Sequence, residues 1–589
     1  MDKQWDLTIF FNSKEEFLAC LEDFKKIGPE MAKYHGLLHE EDKLAEYLRL
    51  NKQANLLIAR LYFYAEMKSD KNKKDVESLA DLNKVGIAVD EFSSLVSFEE
   101  PELLEIGKEK LEAFLTKHPE FEEFSFGFAK LFDGQKHVLS KDKEKLLSYF
   151  SPTSGEGGEL YSQLSVADYS PKKITLSNGE EVSVSTSSWT SLIKDAPTAE
   201  DRKAIFEALY VYFDLHKNVY GEIYNLVLQN QLARMKARGY NSILESHLEH
   251  NKIPTSVFLN LIEAAKEGAA PLHKYYEIRR KYLGLEKHRS YDRFLQLASS
   301  SKKYTYEEAK ELFFKSIESM PDTFKEKARE VTKEGYVDVY PADGKRSGAY
   351  SNGGYDFHPF ILLNFMGELD DVFTLAHEAG HSIHTMFSEE AQPTLKQNYT
   401  IFVAEIASTF NEHNLLDYLL KSGTLSKEDK IYLLQKSIDE IASTFYRQTL
   451  FGEYEYTISK KVENGEPINY QVCSEVMVEL YKQYYGIDIQ EEVYKPLVWA
   501  YIPHLFYTPF YVYQYATSFT SSMLIYEKVK EGEAGAIENY LNLLRSGGSD
   551  YPINQVAKAG VDLTKKETFE CVTKRMSSLV DQLELLLKE

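Results

Sequence analysis

The chain has 589 residues with 92 acidic and 69 basic side chains, a net charge of −23, and 43% hydrophobic and 27% charged residues. That length exceeds one simple core and points to two or more lobes, while only 17 prolines and 30 glycines exclude linker-dominated or collagen-like chains. The acidic balance repels phosphate backbones and anionic membranes, so neither nucleic acid nor a bilayer is expected as a partner, and three scattered cysteines, Cys20, Cys473 and Cys571, fit a reducing, cytoplasmic setting.

Residues 14–148 place apolar positions at helical spacing, as in Leu44, Tyr47 and Leu48, or Leu104, Leu111, Phe114 and Leu115. The charge run KSDKNKKD at 68–75 reads as a solvated loop or helix end. A cluster of turn formers at 151–158, SPTSGEGG, breaks the pattern, and Asn178-Gly179 between the β-prone runs of ITLSNGEEVSV, 174–184, predicts a tight hairpin. Helical periodicity resumes past Pro197 and runs to about 334. The segment 335–367 then changes character. Two strand-like runs, Tyr336–Tyr340 and Phe360–Phe365, with turn clusters between them predict a small sheet inserted in a helical protein. From Asp370 the pattern is helical almost to the end, apart from SGGSDYP at 546–552.

His377-Glu378-Ala379-Gly380-His381 is an HExxH sequence. Residues four apart share one face of a helix, so the two imidazoles can hold one metal ion with Glu378 beside it. At roughly 100° per residue along 371–387, His381 and His384 fall within about 40° of His377, while Val372, Leu375, Ala379, Ile383 and Met386 gather on the opposite side. A hydrolytic zinc site needs a third protein ligand and an open position. Glu405 is the best candidate: it sits in FVAEIASTFNEHNLL, a second helical segment beyond a loop around Pro393, on one stripe with Thr409 and Glu412. Glu412 is then placed to accept the other N–H of a ligand imidazole, and a solvated acidic stripe is the competing reading of both glutamates. The pattern HExxHxxGxxH is absent, with His at 384 and Phe at 387, which excludes metzincins and leaves His384 packed or hydrogen-bonded rather than ligating.

These residues resemble the thimet oligopeptidase and oligoendopeptidase F group of zinc metallopeptidases, with the oligoendopeptidase F branch nearest. The resemblance rests on DDVFTLAHEAGHSIH (370–384) and FVAEIASTFNE (402–412), with Glu405 standing 24 residues past His381. It extends to GKRSGAY (344–350), HPFILLNF (358–365), IPHLFYTPFYVYQYA (502–516) and LRSGGSDYP (544–552). It implies a mainly α fold, a multi-helix, two-lobed ellipsoid with a deep channel and a small β-sheet near the active site. Along the chain it implies an N-terminal helical region with a β-hairpin over 1–195 and a catalytic zinc peptidase region over 196–589.

The same resemblance implies one Zn2+ per chain on His377, His381 and Glu405, with Glu378 as base, in an endopeptidase that cuts internal bonds of short unstructured oligopeptides. Phe360, Ile361, Leu362, Leu363 and Asn364 are expected to line the channel and pair with an extended substrate, the alternative being a sheet edge with only a packing role. His504 is expected to bind the peptide carbonyl and steady the oxyanion together with a tyrosine. Tyr515 is the first match and Tyr511 the second; both would share a helical stripe with His504, although Pro509 interrupts that register. A non-catalytic peptide-binding protein on the same scaffold and a metal-dependent amidohydrolase of non-peptide substrates are the rival readings. The intact Glu378 argues against the first and the strand against the second. Oligomeric state is not legible in the sequence.

Overall fold

The structure is a computed structural model that describes residues 4–300 and 302–589. The chain is mainly helical, and it groups into two compact units, each assembled from three separated stretches. Unit 1 comprises Met1–Lys136, Ser301–Lys421 and Ile525–Gly560; unit 2 comprises His137–Ser300, Ser422–Leu524 and Val561–Glu589. Among the described residues no helix is long and apolar enough to cross a membrane.

Unit 1 opens with helices α1 (Lys14–Ala32), α2 (Glu41–Lys71) and α3 (Val76–Leu95). Ser13 starts α1 by accepting the Glu16 N–H, and the buried stripe Phe17, Leu21, Phe24, Ile27 and Met31 follows the helical period. The charge run at 68–75 does end a helix, but it is not solvated throughout. Asp70 is fully buried and accepts from Arg346 Nη1 (2.9 Å) and the Tyr350 hydroxyl (2.8 Å), while its carbonyl accepts the Arg346 N–H (2.9 Å). Lys73, one turn on, pairs with the other carboxylate oxygen (2.5 Å), and the second cation, Arg346, comes from 276 residues away, which a local charge count cannot reveal.

In unit 2 the turn formers at 151–158 do not break the chain but run through two short helices, Ser151–Ser154 and Glu156–Ser162. Gly157 serves packing here: a Cβ there would lie 2.6 Å from the Val227 side chain. The predicted hairpin forms from β1 (Lys172–Thr175) and β2 (Glu181–Val184), antiparallel, with Gly179 in the left-handed region at φ +86°. Unit 2 continues with α4 (Ala199–Leu215), α5 (Lys217–Arg238) and α6 (Thr255–Glu267).

The inserted sheet belongs to unit 1 and has three strands, β3 (Val337–Asp338), β4 (Tyr350–Gly354) and β5 (Phe357–Leu362), in the order β3-β5-β4. The stretch expected to hold only turns thus contains a strand, β4, whose Tyr-Ser-Asn-Gly-Gly sequence carries no β-branched residue. Its presence changes the expected role of Phe360–Asn364. β5 is the central strand: Ile361 N–H donates to Tyr336 O (2.9 Å) and Leu363 N–H to Asp338 O (2.8 Å) on one side, while Phe360 and Leu362 pair with Asn352 and Tyr350 on the other. Phe360, Ile361, Leu362 and Leu363 are buried, and the Asn364 amide is spent on the carbonyls of Arg346 (3.0 Å) and Gly348 (2.7 Å). No side of Phe360–Leu362 is left for a substrate. Because β-strand groups alternate, Ser351, opposite Ile361, turns its N–H and C=O away from β5, and β4 carries the edge.

Two further helices of unit 1, α7 (Leu369–Ala391) and α8 (Ile401–Lys421), follow the sheet. The rest of the chain includes α9 (Lys427–Ile441), α10 (Arg447–Glu463), α11 (Tyr513–Lys530) and α12 (Lys566–Lys588).

Candidate metal centre

Helix α7 starts at a reciprocal cap between Glu368 and Asp371 and buries Val372, Leu375, Ala376, Ala379 and Ile383. That burial fixes its rotation and leaves His377 and His381, one turn apart, partly exposed with side-chain accessibilities of 25% and 18%. The loop through Pro393 returns the chain to α8, which packs along α7. Gly380 sets how closely: a Cβ there would lie 2.6 Å from Ala407 O and 2.7 Å from Ser408 Cα. Any larger residue would push the helices apart. The Asn411 amide donates to Ala376 O (3.1 Å) and pins the same contact. The LRSGGSDYP stretch seats the intervening loop, with Gly548 N–H donating to Lys396 O (2.7 Å) where a Cβ would strike Asn398 O.

This contact brings Glu405 against the histidine pair. His377 Nε2 and His381 Nε2 lie 3.2 Å apart, and Glu405 Oε2 lies 3.4 Å and 3.5 Å from them. Ligands about 2.0–2.1 Å from a common tetrahedral centre are separated by about 3.3 Å, so the triangle has the size a bound zinc requires. Among the described residues this is the one group of three His, Cys, Asp or Glu side chains that converge in this way. Two nitrogens and one oxygen also suit zinc by ligand chemistry.

The electrostatics bind the three together. Burial disfavours protonation of His377, yet hydrogen bonds with Glu405 and Glu412 override it and raise the imidazole well above its ordinary value. Burial disfavours the Glu405 carboxylate too, and the two histidines overcome that and hold it far below the usual carboxylate range. Ser408 Oγ donates to Glu405 Oε2 (3.0 Å) and fixes the carboxylate's rotation. His377 Nδ1 is hydrogen-bonded to Glu412 Oε1, which leaves Nε2 facing Glu405 and His381. Removing that partner by Glu412→Ala should lower zinc affinity by about 10–100-fold without unfolding the chain, as read by competition with a chelating dye. An unchanged affinity would show that Glu412 does not orient the ring.

Glu378 lies outside the triangle and is 6% exposed. Burial pushes its carboxyl above the usual range, against the pull of His377 and His381 and with Glu405 and Glu412 reinforcing it. His384 is buried, its ring stacked at 3.6 Å on Tyr399, and burial beside His381 pushes it down to about 3. It packs rather than joining the triangle. Tyr399 donates to His381 O (3.3 Å) and pairs with Thr385 Oγ1 (3.0 Å), tying the loop back to α7. Sequence reasoning missed Gly380, Tyr399, Ser408 and Asn411. Only Ser408 left a signal, three residues past Glu405 and hence beside it on the helix.

His504, Tyr511 and Tyr515 lie in unit 2. His504 begins the short helix His504–Tyr507, and α11 starts only at Tyr513, so the three do not share one helical stripe as the spacing suggested. A turn brings them together instead. The rings of His504 and Tyr511 are nearly parallel at 6.2 Å, and those of Tyr511 and Tyr515 meet edge-on at 5.6 Å. All three are partly exposed.

Comparison with known proteins follows the same lines. The sequence profile of a family described as Peptidase family M3 matches residues 192–573, and one described as Oligopeptidase F matches residues 102–170. The chain is 32% identical to group B oligopeptidase PepB of Streptococcus agalactiae, covering 99% of this chain and 97% of that one. It is 34% identical to an oligoendopeptidase F homolog of Borreliella burgdorferi, covering 96% and 95%. The crystal structure of oligoendopeptidase-F from Enterococcus faecium superposes with a TM-score of 0.76 at 26% identity, over 98% and 99% of the two chains.

Proposed function

Because the chain belongs to peptidase family M3, in its oligoendopeptidase F group, it is a zinc-dependent oligopeptidase, and we propose that His377, His381 and Glu405 hold the ion while internal bonds of short, extended peptides are cut beside them. The observation that carries this reading is the triangle of ligand atoms with the buried Glu378 alongside. Zinc, when bound, supplies a Lewis acid that polarises a carbonyl and lowers the pKa of a water. Glu378 receives the proton of the attacking water and passes it to the leaving nitrogen, and its buried setting strengthens its hold on that proton.

The peptide is held as an added strand, and the sheet's geometry favours β4 over β5 for this. Ser351 presents its backbone groups on the outer side, and its Oγ is hydrogen-bonded to Ser382 Oγ (2.8 Å), the residue after His381. His504, Tyr511 and Tyr515 supply donors to the oxyanion, a role supported by their grouping in unit 2. Tyr515→Phe and Tyr511→Phe test it: loss of the true donor should cost about 10²–10³ in kcat with little change in KM and with zinc retained. Wild-type kcat in both variants would remove the tyrosines from the mechanism.

We place the boundary between the N-terminal region and the catalytic zinc peptidase region near 195, in keeping with the two matched ranges. The three free thiols are compatible with a reducing, cytoplasmic setting. The decisive experiment for the function is mass spectrometry of a mixed-length peptide pool together with a folded protein, with and without phenanthroline. Short peptides should be cut internally, the folded protein should stay intact, and the chelator should stop all cleavage. Trimming confined to peptide ends, or rapid digestion of the folded protein, would overturn the reading.

A further inference from the structure

We propose that Glu455 is a positioning residue for the oxyanion donors: it holds the Pro509–Phe510 peptide in the orientation that aims Tyr511 and the entry to α11. The inference rests on the assignment of Tyr511 and Tyr515 given above.

The argument begins with the sequence Thr508-Pro509-Phe510-Tyr511. Proline's fixed φ suits the second position of a tight turn, and Tyr511 N–H donating to Thr508 O (3.2 Å) closes that turn. The third position is Phe510 at φ +56°, a left-handed conformation that side chains rarely adopt. Proline followed by a positive φ is the type II pattern, in which glycine or asparagine is expected. Types I and II differ by rotation of the peptide that joins the second and third residues. Whatever holds the Phe510 N–H therefore decides between them.

Glu455 holds it. This α10 side chain is 2% exposed, and its Oε1 accepts the Phe510 N–H at 2.7 Å. The Phe510 ring is itself buried, packed against His247 (5.1 Å) and Phe258 (5.8 Å), but ring packing does not fix the direction of the preceding peptide. The second oxygen, Oε2, is buried with no hydrogen-bond partner among the described residues. A carboxyl buried in this way is costly, and burial pushes it up to about 8, so it carries a proton at neutral pH. The hydrogen bonding of this carboxyl thus reduces to one bond among the described residues, made to the strained residue of the turn.

The turn leads straight into the donors. Tyr511 O accepts the Gln514 N–H (3.2 Å), and Tyr515 N–H donates to Val512 O (3.2 Å). A flip of the Pro509–Phe510 peptide alone would leave the Cα trace of the turn in place, but relaxation of the Phe510 φ that Pro509 ψ does not compensate redirects the chain at Tyr511, and with it the ring that lies parallel to His504 and edge-on to Tyr515.

The test uses the zinc-loaded full chain and an internally quenched oligopeptide. Glu455→Gln mimics the protonated acid, keeps an acceptor for the Phe510 N–H, and should leave kcat within about threefold of the parent. Glu455→Met removes the acceptor at similar volume and should lower kcat about 10-fold or more, with KM and zinc content nearly unchanged. In a Tyr511→Phe background the same change should add almost nothing, since its effect passes through that ring. Fluorotyrosine at position 511 gives a readout free of turnover: its fluorine resonance should shift in Glu455→Met and not in Glu455→Gln. If Glu455→Met does not fold, Glu455→Asp, one methylene short, takes its place. Parity of the Met or Asp variant with Glu455→Gln, beside a crippled Tyr511→Phe or Tyr515→Phe, would overturn this inference and leave the tyrosine assignment standing. Wild-type kcat in both tyrosine variants would overturn that assignment and this inference with it.

Discussion

Glu378→Gln should purify with its zinc bound and with kcat reduced about 10²–10⁴-fold, the range that a positioned general base contributes. Glutamine preserves the volume and hydrogen-bonding capacity of the side chain and removes only its affinity for a proton. The Glu378 side chain itself is 6% exposed, so a substitute proton acceptor from solvent has little access to its position. Its carboxyl also sits above the ordinary range because it is buried, so it binds a proton more tightly than a surface glutamate. Equal turnover in parent and variant would remove Glu378 from the proton transfer. Loss of zinc from the variant would mean that the residue is a ligand instead.

Removing a ligand should have the opposite signature. Glu405→Ala and His381→Ala should lose both turnover and metal, and added zinc should not restore them at concentrations that fully reactivate the chelated parent. Glu405 brings the only negative charge to the triangle, and without it the divalent ion is left to two imidazoles. Metal content measured beside circular dichroism separates this from unfolding. A Glu405→Ala protein that kept stoichiometric zinc would show that another side chain is the third ligand.

The chemistry of the centre was more legible in the sequence than the architecture that supports it. The spacing of His377 and His381 is a local fact of helix geometry, so the proposed ligand pair and its neighbour Glu378 could be picked out directly. Glu405 required a second helix and a return loop, which the resemblance supplied more firmly than the stripe did. Gly380 looked like a filler position in HExxH, because its reason is the backbone of α8, 27 residues on at Ala407. The sheet was misread through a related blindness. The unbroken apolar run Phe360–Leu363 is what a strand covered on both sides looks like, and the edge fell instead to a glycine-rich strand with little β propensity. Asp70 and Arg346 illustrate the same limit for charge, since neither position explains the other until the chain has folded.

Each unit's patchwork of three stretches also has a consequence for how the protein is made. Residues up to Lys136 reach the ribosome exit about 390 residues before the segment Ile525–Gly560 that completes their unit, a delay of roughly 20–80 s at ordinary elongation rates. Unit 2 likewise waits for α12, which packs against α6 and α9. Vectorial synthesis therefore cannot finish one half before starting the other. The apolar stripes of α1 and α2 can bury against each other and α3 as soon as these have emerged, whereas a fragment ended at Lys421 would emerge with unit 1 still lacking its last stretch.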